Sequence, residues 1–165
     1  MALKTEAVMR FTRQLRMALV RAQNEARALS RPAIGTEHLL LGMYETGTAA
    51  TVLAEHGLQP DAVRAAAARR APAAPPGSAP QGHLGWTGNA AQALDLFEQY
   101  SLRFGSPDAI DSGHALLALT HDGFTSAQVL ADLGVDIAAF RSAVSRKLIV
   151  NAPVPPGQGA EPGAV

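Results

Sequence analysis

The chain has 165 residues, with 14 basic and 14 acidic side chains and no cysteine. That length holds one domain or two small ones, and the missing thiols exclude a disulfide framework, a thiolate metal site or a cysteine nucleophile. The cancelled charge removes the electrostatic footprint of a nucleic-acid or anionic-membrane binder.

Composition is 47% hydrophobic but only 5% aromatic, with many alanines, which favours closely packed helices over sheets. No run approaches the roughly 18 apolar residues of a membrane span. Charge interrupts every apolar stretch of residues 1–16, unlike a signal peptide, so the expected location is the cytoplasm. Along the chain, Phe11, Leu15, Ala18, Leu19, Ala22, Ala26 and Leu29 share one face of a long first helix. Thr12 is its N-cap, and it ends before Pro32. A second helix is expected over 36–44, with Leu39, Leu40 and Met43 inward, and a third over 48–56, stopped by Gly57. Pro60 opens a fourth, reaching about residue 70. Residues 71–85 carry four prolines and three glycines, the composition of a semi-stiff, solvated linker. Helices are then expected over 87–104, 112–120, 125–133 and 136–148. Residues 151–165, with four further prolines, read as a disordered tail. No stretch alternates with period two, so no sheet is expected.

The two halves are copies of one another. Residues 11–70 align with 86–147 when two one-residue insertions are allowed in the second copy. Thr12, Ala18, Leu19 and Pro32 then match Thr87, Ala93, Leu94 and Pro107. Ile34, His38, Leu40 and Leu41 match Ile110, His114, Leu116 and Leu117. Val52, Leu53, Gly57 and Arg64 match Val129, Leu130, Gly134 and Arg141. A four-helix unit of this size is marginal alone. The copies are therefore expected to pack about a pseudo-twofold axis as one all-α, eight-helix domain over residues 1–150, with repeats at about 8–70 and 86–148.

Phe11-Thr12, the run Ile34-Gly35-Thr36-Glu37-His38-Leu39-Leu40-Leu41-Gly42, and Val52-Leu53 with Gly57 resemble the amino-terminal repeat domain of the Clp/Hsp100 unfoldases. The likeness is strongest to the actinobacterial and firmicute ClpC type and covers about residues 8–148. It implies an all-α double repeat that recruits substrates and adaptor proteins to an attached ATPase ring. This chain contains no G-x-x-x-x-G-K-[ST] loop to cradle a nucleotide. It also lacks G-x-S-x-G and H-E-x-x-H, so neither an enzyme nor a cofactor is expected. The expected role is a non-enzymatic, free-standing adaptor or decoy of a ClpC-type unfoldase, capturing substrates, adaptors or cyclic peptides. The alternative is the excised recruitment domain of a full-length ATP-dependent unfoldase.

In that family the Thr of Phe-Thr and the Glu of Thr-Glu-His help bind phosphoarginine, which the resemblance carries to Thr12 and Glu37. A carboxylate takes a guanidinium bidentately, and a helix N-terminus with a hydroxyl suits a phosphoryl group. The same residues also cap and decorate helix starts without any ligand. Copy two keeps Thr87 but has Gly113 in place of the glutamate, so an equivalent second site is expected to be degenerate. Phe11, Arg10, Arg13 and Trp86 form a candidate partner surface. The resemblance implies a groove for cyclic-peptide antibiotics near Trp86, against its packing back on the next helix as a hydrophobic staple. Residues 1–70 carry +4 and residues 86–148 carry −3, a polarity that suits an acidic partner or simply a solvated arginine face. His38 and His114, related by duplication and followed by leucines, read as structural histidines rather than metal ligands.

Overall fold

The structure, a computed structural model, describes residues 5–44, 47–70 and 82–151. Most of the expected linker, and all but the first residue of the expected tail, lie outside these described residues. The described chain runs α1 (Thr5–Met9), α2 (Arg13–Ala28), β1 (Ala33–Ile34), α3 (Thr36–Leu41), a 3-10 turn (Gly42–Tyr44), α4 (Thr48–Glu55) and α5 (Pro60–Arg69). It continues with β2 (Gly85–Trp86), α6 (Gly88–Arg103), α7 (Ser112–Ala118), α8 (Thr125–Asp132) and α9 (Ile137–Asn151). The all-α expectation holds, with α2–α5 and α6–α9 as the two four-helix copies. Helix α1, outside both, had no sequence signal; it buries Ala7 against the core.

The long helices form where the apolar stripe places them. Helix α2 buries Leu15, Ala18, Ala22 and Ala26, and its copy α6 buries Ala90, Ala93, Leu94 and Phe97. Each starts at a threonine whose Oγ1 accepts a backbone N–H, from Leu15 (3.3 Å) at Thr12 and from Ala90 (3.1 Å) at Thr87. Alanines in the stripe let the next segment lie close. A Cβ on Gly42 would stand 2.3 Å from the Ala18 carbonyl oxygen, so backbone meets backbone there. At that contact the helix tightens into the 3-10 turn, instead of continuing as regular α-helix to Tyr44. Gly57 and Gly134 follow the ends of α4 and α8 in the left-handed region, at φ 67° and 82°, as expected of C′ glycines.

The expectation of no sheet does not hold. Strand β1 pairs in parallel with β2, Ala33 with Gly85 and Ile34 with Trp86, and Phe11 forms a parallel bridge with Ile110. Two residues are too few to show an alternating pattern, and each partner comes from the other copy. Since Phe11 corresponds to Trp86, and Ile34 to Ile110, these are one contact made twice. Thr87 N donates to the Ile34 carbonyl (2.9 Å), and Thr12 N to the Ile110 carbonyl (3.0 Å).

A second exchange joins the copies at their helix starts. Thr36 Oγ1 accepts from Ser126 N at the start of α8 (3.1 Å), and Ser112 Oγ accepts from Ala49 N at the start of α4 (3.2 Å). Each hydroxyl satisfies an orphan N–H of a helix in the opposite copy. Around these bonds α3 packs on α8 and α4 on α7, the arrangement a pseudo-twofold axis requires. Ion pairs follow the same seam: Arg70 meets both Asp132 oxygens at 2.6 Å, Lys147 meets Glu55 at 2.8 Å, and Arg10 pairs with Glu98. The opposite net charges of the copies thus face one another in part.

His38 and His114 close the turn before each short helix. Their Nδ1 atoms accept from Gly35 N and Asp111 N, both at 2.9 Å, and both rings are buried. This supports the structural reading of the pair. Burial lowers both imidazole pKa values below the usual range, against the opposing pull of Glu37 and of Asp111 respectively.

Two outcomes follow from this seam. Thr36→Ala and Ser112→Ala each strip a buried N–H of its acceptor, and each is expected to cost about 1–3 kcal/mol in urea unfolding; unchanged midpoints in both would remove the crossed caps as a source of stability. The histidines bind protons more readily once unfolded, so stability is expected to fall as pH drops below about 6.5, their ordinary pKa. His38→Gln with His114→Gln keeps an acceptor that does not titrate. Thermal melts of this double variant are expected to show a flatter acid slope, and an unaltered slope would refute the assignment.

Candidate functional site

The crossed β-bridges decide which side chains meet. Because Thr87 N is tied to Ile34, the start of α6 lies beside the turn from Gly35 to Glu37. Gly35, Thr36, Glu37, Thr87, Gly88, Asn89 and Thr125 line a cleft of about 380 Å³. Within it the Glu37 side chain is 15% exposed, with Oε1 3.6 Å from His38 Nε2. Among the described residues that buried nitrogen has no hydrogen-bond partner, and the Glu37 carboxylate is the charge that acts on the ring most strongly. The carboxylate folds over Gly35, where an added Cβ would lie 2.5 Å from Glu37 Oε2. Opposite stands the N-terminus of a 16-residue helix. Its Gly88 and Asn89 N–H groups precede the first intrahelical bonds and carry the positive end of the helix dipole. A carboxylate facing a helix N-terminus can hold a ligand that is cationic at one end and anionic at the other.

The structure regroups the residues singled out from sequence. Glu37 shares its cleft with Thr87, not with Thr12. Thr12, tied to Ile110, lines a separate cleft of about 420 Å³ with Ser106, Pro107, Asp108, Asp111, His114 and Leu148. The alignment paired motifs within one copy, whereas the fold pairs each threonine with the other copy's turn. Gly113 is buried. A Cβ there would come 2.6 Å from Leu148 Cδ2 and 2.9 Å from Thr48 Cγ2. Leu148 lies on helix α9, which continues to Asn151, while its counterpart α5 ends at Arg69.

Trp86 is half-buried and packs against the core. It also lines a third cleft, of about 410 Å³, with Thr87, Gly88, Ala91, Gln92 and Asp95. It precedes the N-cap Thr87, and Ala91 lies where a staple partner belongs, so the staple geometry and an accessible face coexist. This cleft and the Glu37 cleft share Thr87 and Gly88. Phe11 does not belong to a partner surface: it is 3% exposed, its ring 6.3 Å from that of Phe97, because it makes the bridge to Ile110. Arg10 is drawn into the seam, where it pairs with Glu98 and donates to the Pro107 carbonyl (3.1 Å). Arg13 is exposed.

Sequence reasoning passed over Asn89 and Thr125 in the Glu37 cleft, and Asp108 and Asp111 in the Thr12 cleft. The one available signal for the last was the exchange of Gly35-x-Glu37 for Asp111-x-Gly113. Among the described residues, no cluster of three or more histidines and carboxylates could hold a metal ion, and no helix is long and apolar enough to cross a membrane.

Comparison with known proteins places this geometry in a family. Residues 10–123 match the Clp repeat (R) N-terminal domain. The chain is 30% identical to the chaperone protein ClpB of Oceanobacillus iheyensis over 142 residues, 84% of this chain and 17% of that protein. It is 33% identical over 140 residues to the chloroplastic chaperone protein ClpC3 of Oryza sativa subsp. japonica, 84% of this chain and 15% of the other. An uncharacterized protein of Mycobacterium bovis is 36% identical over 111 residues, 67% of this chain and 42% of that one. The chain therefore spans less than a fifth of the two chaperones' length. In structure it resembles the N-terminal domain of the chaperone ClpD from Arabidopsis thaliana, with TM-score 0.67, 21% identity, and coverage of 88% and 99%. It also resembles the Hsp104 N-terminal domain of Candida albicans, with TM-score 0.63, 17% identity, and coverage of 81% and 88%. In Clp unfoldases this domain mediates the binding of substrates and adaptors and is itself non-catalytic. With its crossed double repeat and a family match over most of its length, the chain belongs to the Clp repeat N-terminal domain family.

Proposed function

We propose that this chain is a non-enzymatic peptide-capture module of the Clp protease system, acting as an adaptor or decoy of a ClpC-type unfoldase. The observation that carries this reading is the Glu37 cleft, in which a carboxylate and the N-terminus of α6 face each other across the seam of the copies. Phosphoarginine fits that polarity: its guanidinium side meets Glu37 and its phosphoryl group meets Thr87, Gly88 and Asn89. A longer peptide would run over Gly88 towards Trp86, whose half-exposed indole suits the apolar side chains of a substrate, adaptor or cyclic peptide. The mycobacterial relative supports a role apart from an ATPase ring, since the matched segment makes up 42% of it, against 15–17% of the two chaperones. If the chain instead serves within a full-length unfoldase, the same cleft performs the recruitment.

Calorimetric titration with phosphoarginine tests the cleft. One equivalent is expected to bind to the wild type. Glu37→Gln is expected to weaken binding by roughly tenfold or more, the scale of a charge-assisted bidentate pair, and Thr87→Ala less. Gly113→Glu is expected to add no equivalent and to lower the melting temperature, because Leu148 and Thr48 fill the space it needs. No heat with the wild type, or full affinity in Glu37→Gln, would overturn the reading of this cleft.

A further inference from the structure

We propose that the Thr12 cleft is a second binding site, distinct in chemistry from the Glu37 cleft, and that it takes the unmodified arginine side chain of a peptide through Asp111 and Asp108. The inference does not rest on phosphoarginine binding at Glu37.

The argument starts from the two turns. In copy one, a side chain at position 35 would point straight into the Glu37 carboxylate, its Cβ 2.5 Å from Oε2 and 2.8 Å from Cδ. In copy two the equivalent of Gly35 is Asp111, and the equivalent of Glu37 is Gly113. The carboxylate has therefore moved two residues along the chain while keeping its place beside the turn, rather than vanishing with the glutamate. Asp111 lines the cleft. Its Oδ2 accepts from Thr48 Oγ1 at 2.8 Å and its Oδ1 from Ser112 Oγ at 3.1 Å. A carboxylate accepts about four hydrogen bonds, so some capacity remains for a ligand beyond these two and the capping-box bond from the start of α7. These two hydroxyls also fix its orientation.

The rest of the cleft favours a cation attached to a peptide. Asp108 adds a second, exposed carboxylate, and no lysine or arginine is among the lining residues. Pro107, Ala109 and Leu148 supply apolar wall for an aliphatic stem. His114 is only 2% exposed and lines the same cleft. Its Nδ1 is occupied by Asp111 N, which makes the neutral ring an Nε2–H donor. No partner for that Nε2–H exists among the described residues, and a peptide carbonyl beside the bound arginine supplies one. Two carboxylates repel a phosphoryl group, so this cleft discriminates against the phosphorylated side chain that suits the Glu37 cleft.

The test is an NMR titration of the whole chain with N-acetyl-arginine-N-methylamide, beside its neutral isostere, the citrulline derivative. The arginine probe is expected to shift the Asp111, His114 and Ser106 resonances, and the citrulline probe to leave them in place. Asp111→Asn is expected to weaken binding, read at the His114 and Ser106 resonances, by roughly tenfold. If Asp111→Asn melts too low to titrate, Asp108→Asn, at an exposed position, is expected to weaken binding about threefold. The proposal falls if both probes act alike, if shifts are confined to Gly35, Glu37 and Gly88, or if phosphoarginine shifts Asp111 as strongly as arginine does. Failure of phosphoarginine at Glu37 alongside success here would separate the two readings.

Discussion

The structure depends on an exchange of helix caps and β-bridges between two copies of one sequence. An isolated four-helix copy would leave the Ala49 and Ser126 N–H groups, and the carbonyls of Ile34 and Ile110, without the partners that the opposite copy provides. Buried backbone groups without partners cost about 1–3 kcal/mol each, so the copies are stable together on terms that neither meets alone. The crossed bonds also fix register. Each turn is held between its own helix start and the other copy's first strand, which leaves little freedom for the copies to slide. The turn positions 35 and 111, and the helix-start positions 12 and 87, are therefore counterparts in backbone across the seam.

Within that frame electrostatics plays a supporting part. The pairs Arg70–Asp132 and Lys147–Glu55 lie at partly exposed positions, where solvent screens them and each contributes little. Their effect is on orientation: Arg70–Asp132 follows the net charges of the copies and Lys147–Glu55 runs against them, and the two together favour this pairing of faces over others. The buried histidines act differently. Each must remain neutral to accept from the backbone through Nδ1, and the low-dielectric surroundings that lower its pKa keep it so at neutral pH. Glu37 acts in the opposite sense. It pulls against the burial of His38, its Oε1 3.6 Å from Nε2 of that ring.

Much of the fold was legible because duplication writes each helix signal twice. The stripe of α2 was read from Leu15, Ala18 and Ala22, its cap from Thr12, and the stops of α4 and α8 from Gly57 and Gly134; each reappears in place. What stayed hidden depends on contacts between the copies. Two-residue strands have no period to detect, and Phe11, which the sequence offers both to the apolar stripe and to a partner surface, lies in the core through its bridge to Ile110. The site suffered from the same blindness. Thr12 and Glu37 stand in one repeat of the alignment, and nothing in linear order shows that the copies trade first strands, which brings Glu37 to Thr87 instead. Arg10 likewise reads as a free basic residue in sequence and as a seam contact in space.

Duplication also explains why the two clefts need not do the same work. A pseudo-twofold axis repeats the backbone, but side chains at equivalent positions drift independently once one copy suffices for a given ligand. Here the drift is coupled. Gly35 makes room for the folded-back Glu37 carboxylate, whereas Gly113 makes room for Leu148 on the extended α9. A glutamate at 113 would require the Leu148 and Thr48 side chains to shift. Position 111 is one from which a carboxylate reaches the cleft, and Asp111 stands there between Thr48 and Ser112. The same Ser112 hydroxyl caps α4 across the seam, so the group that steadies Asp111 is also one that holds the copies together.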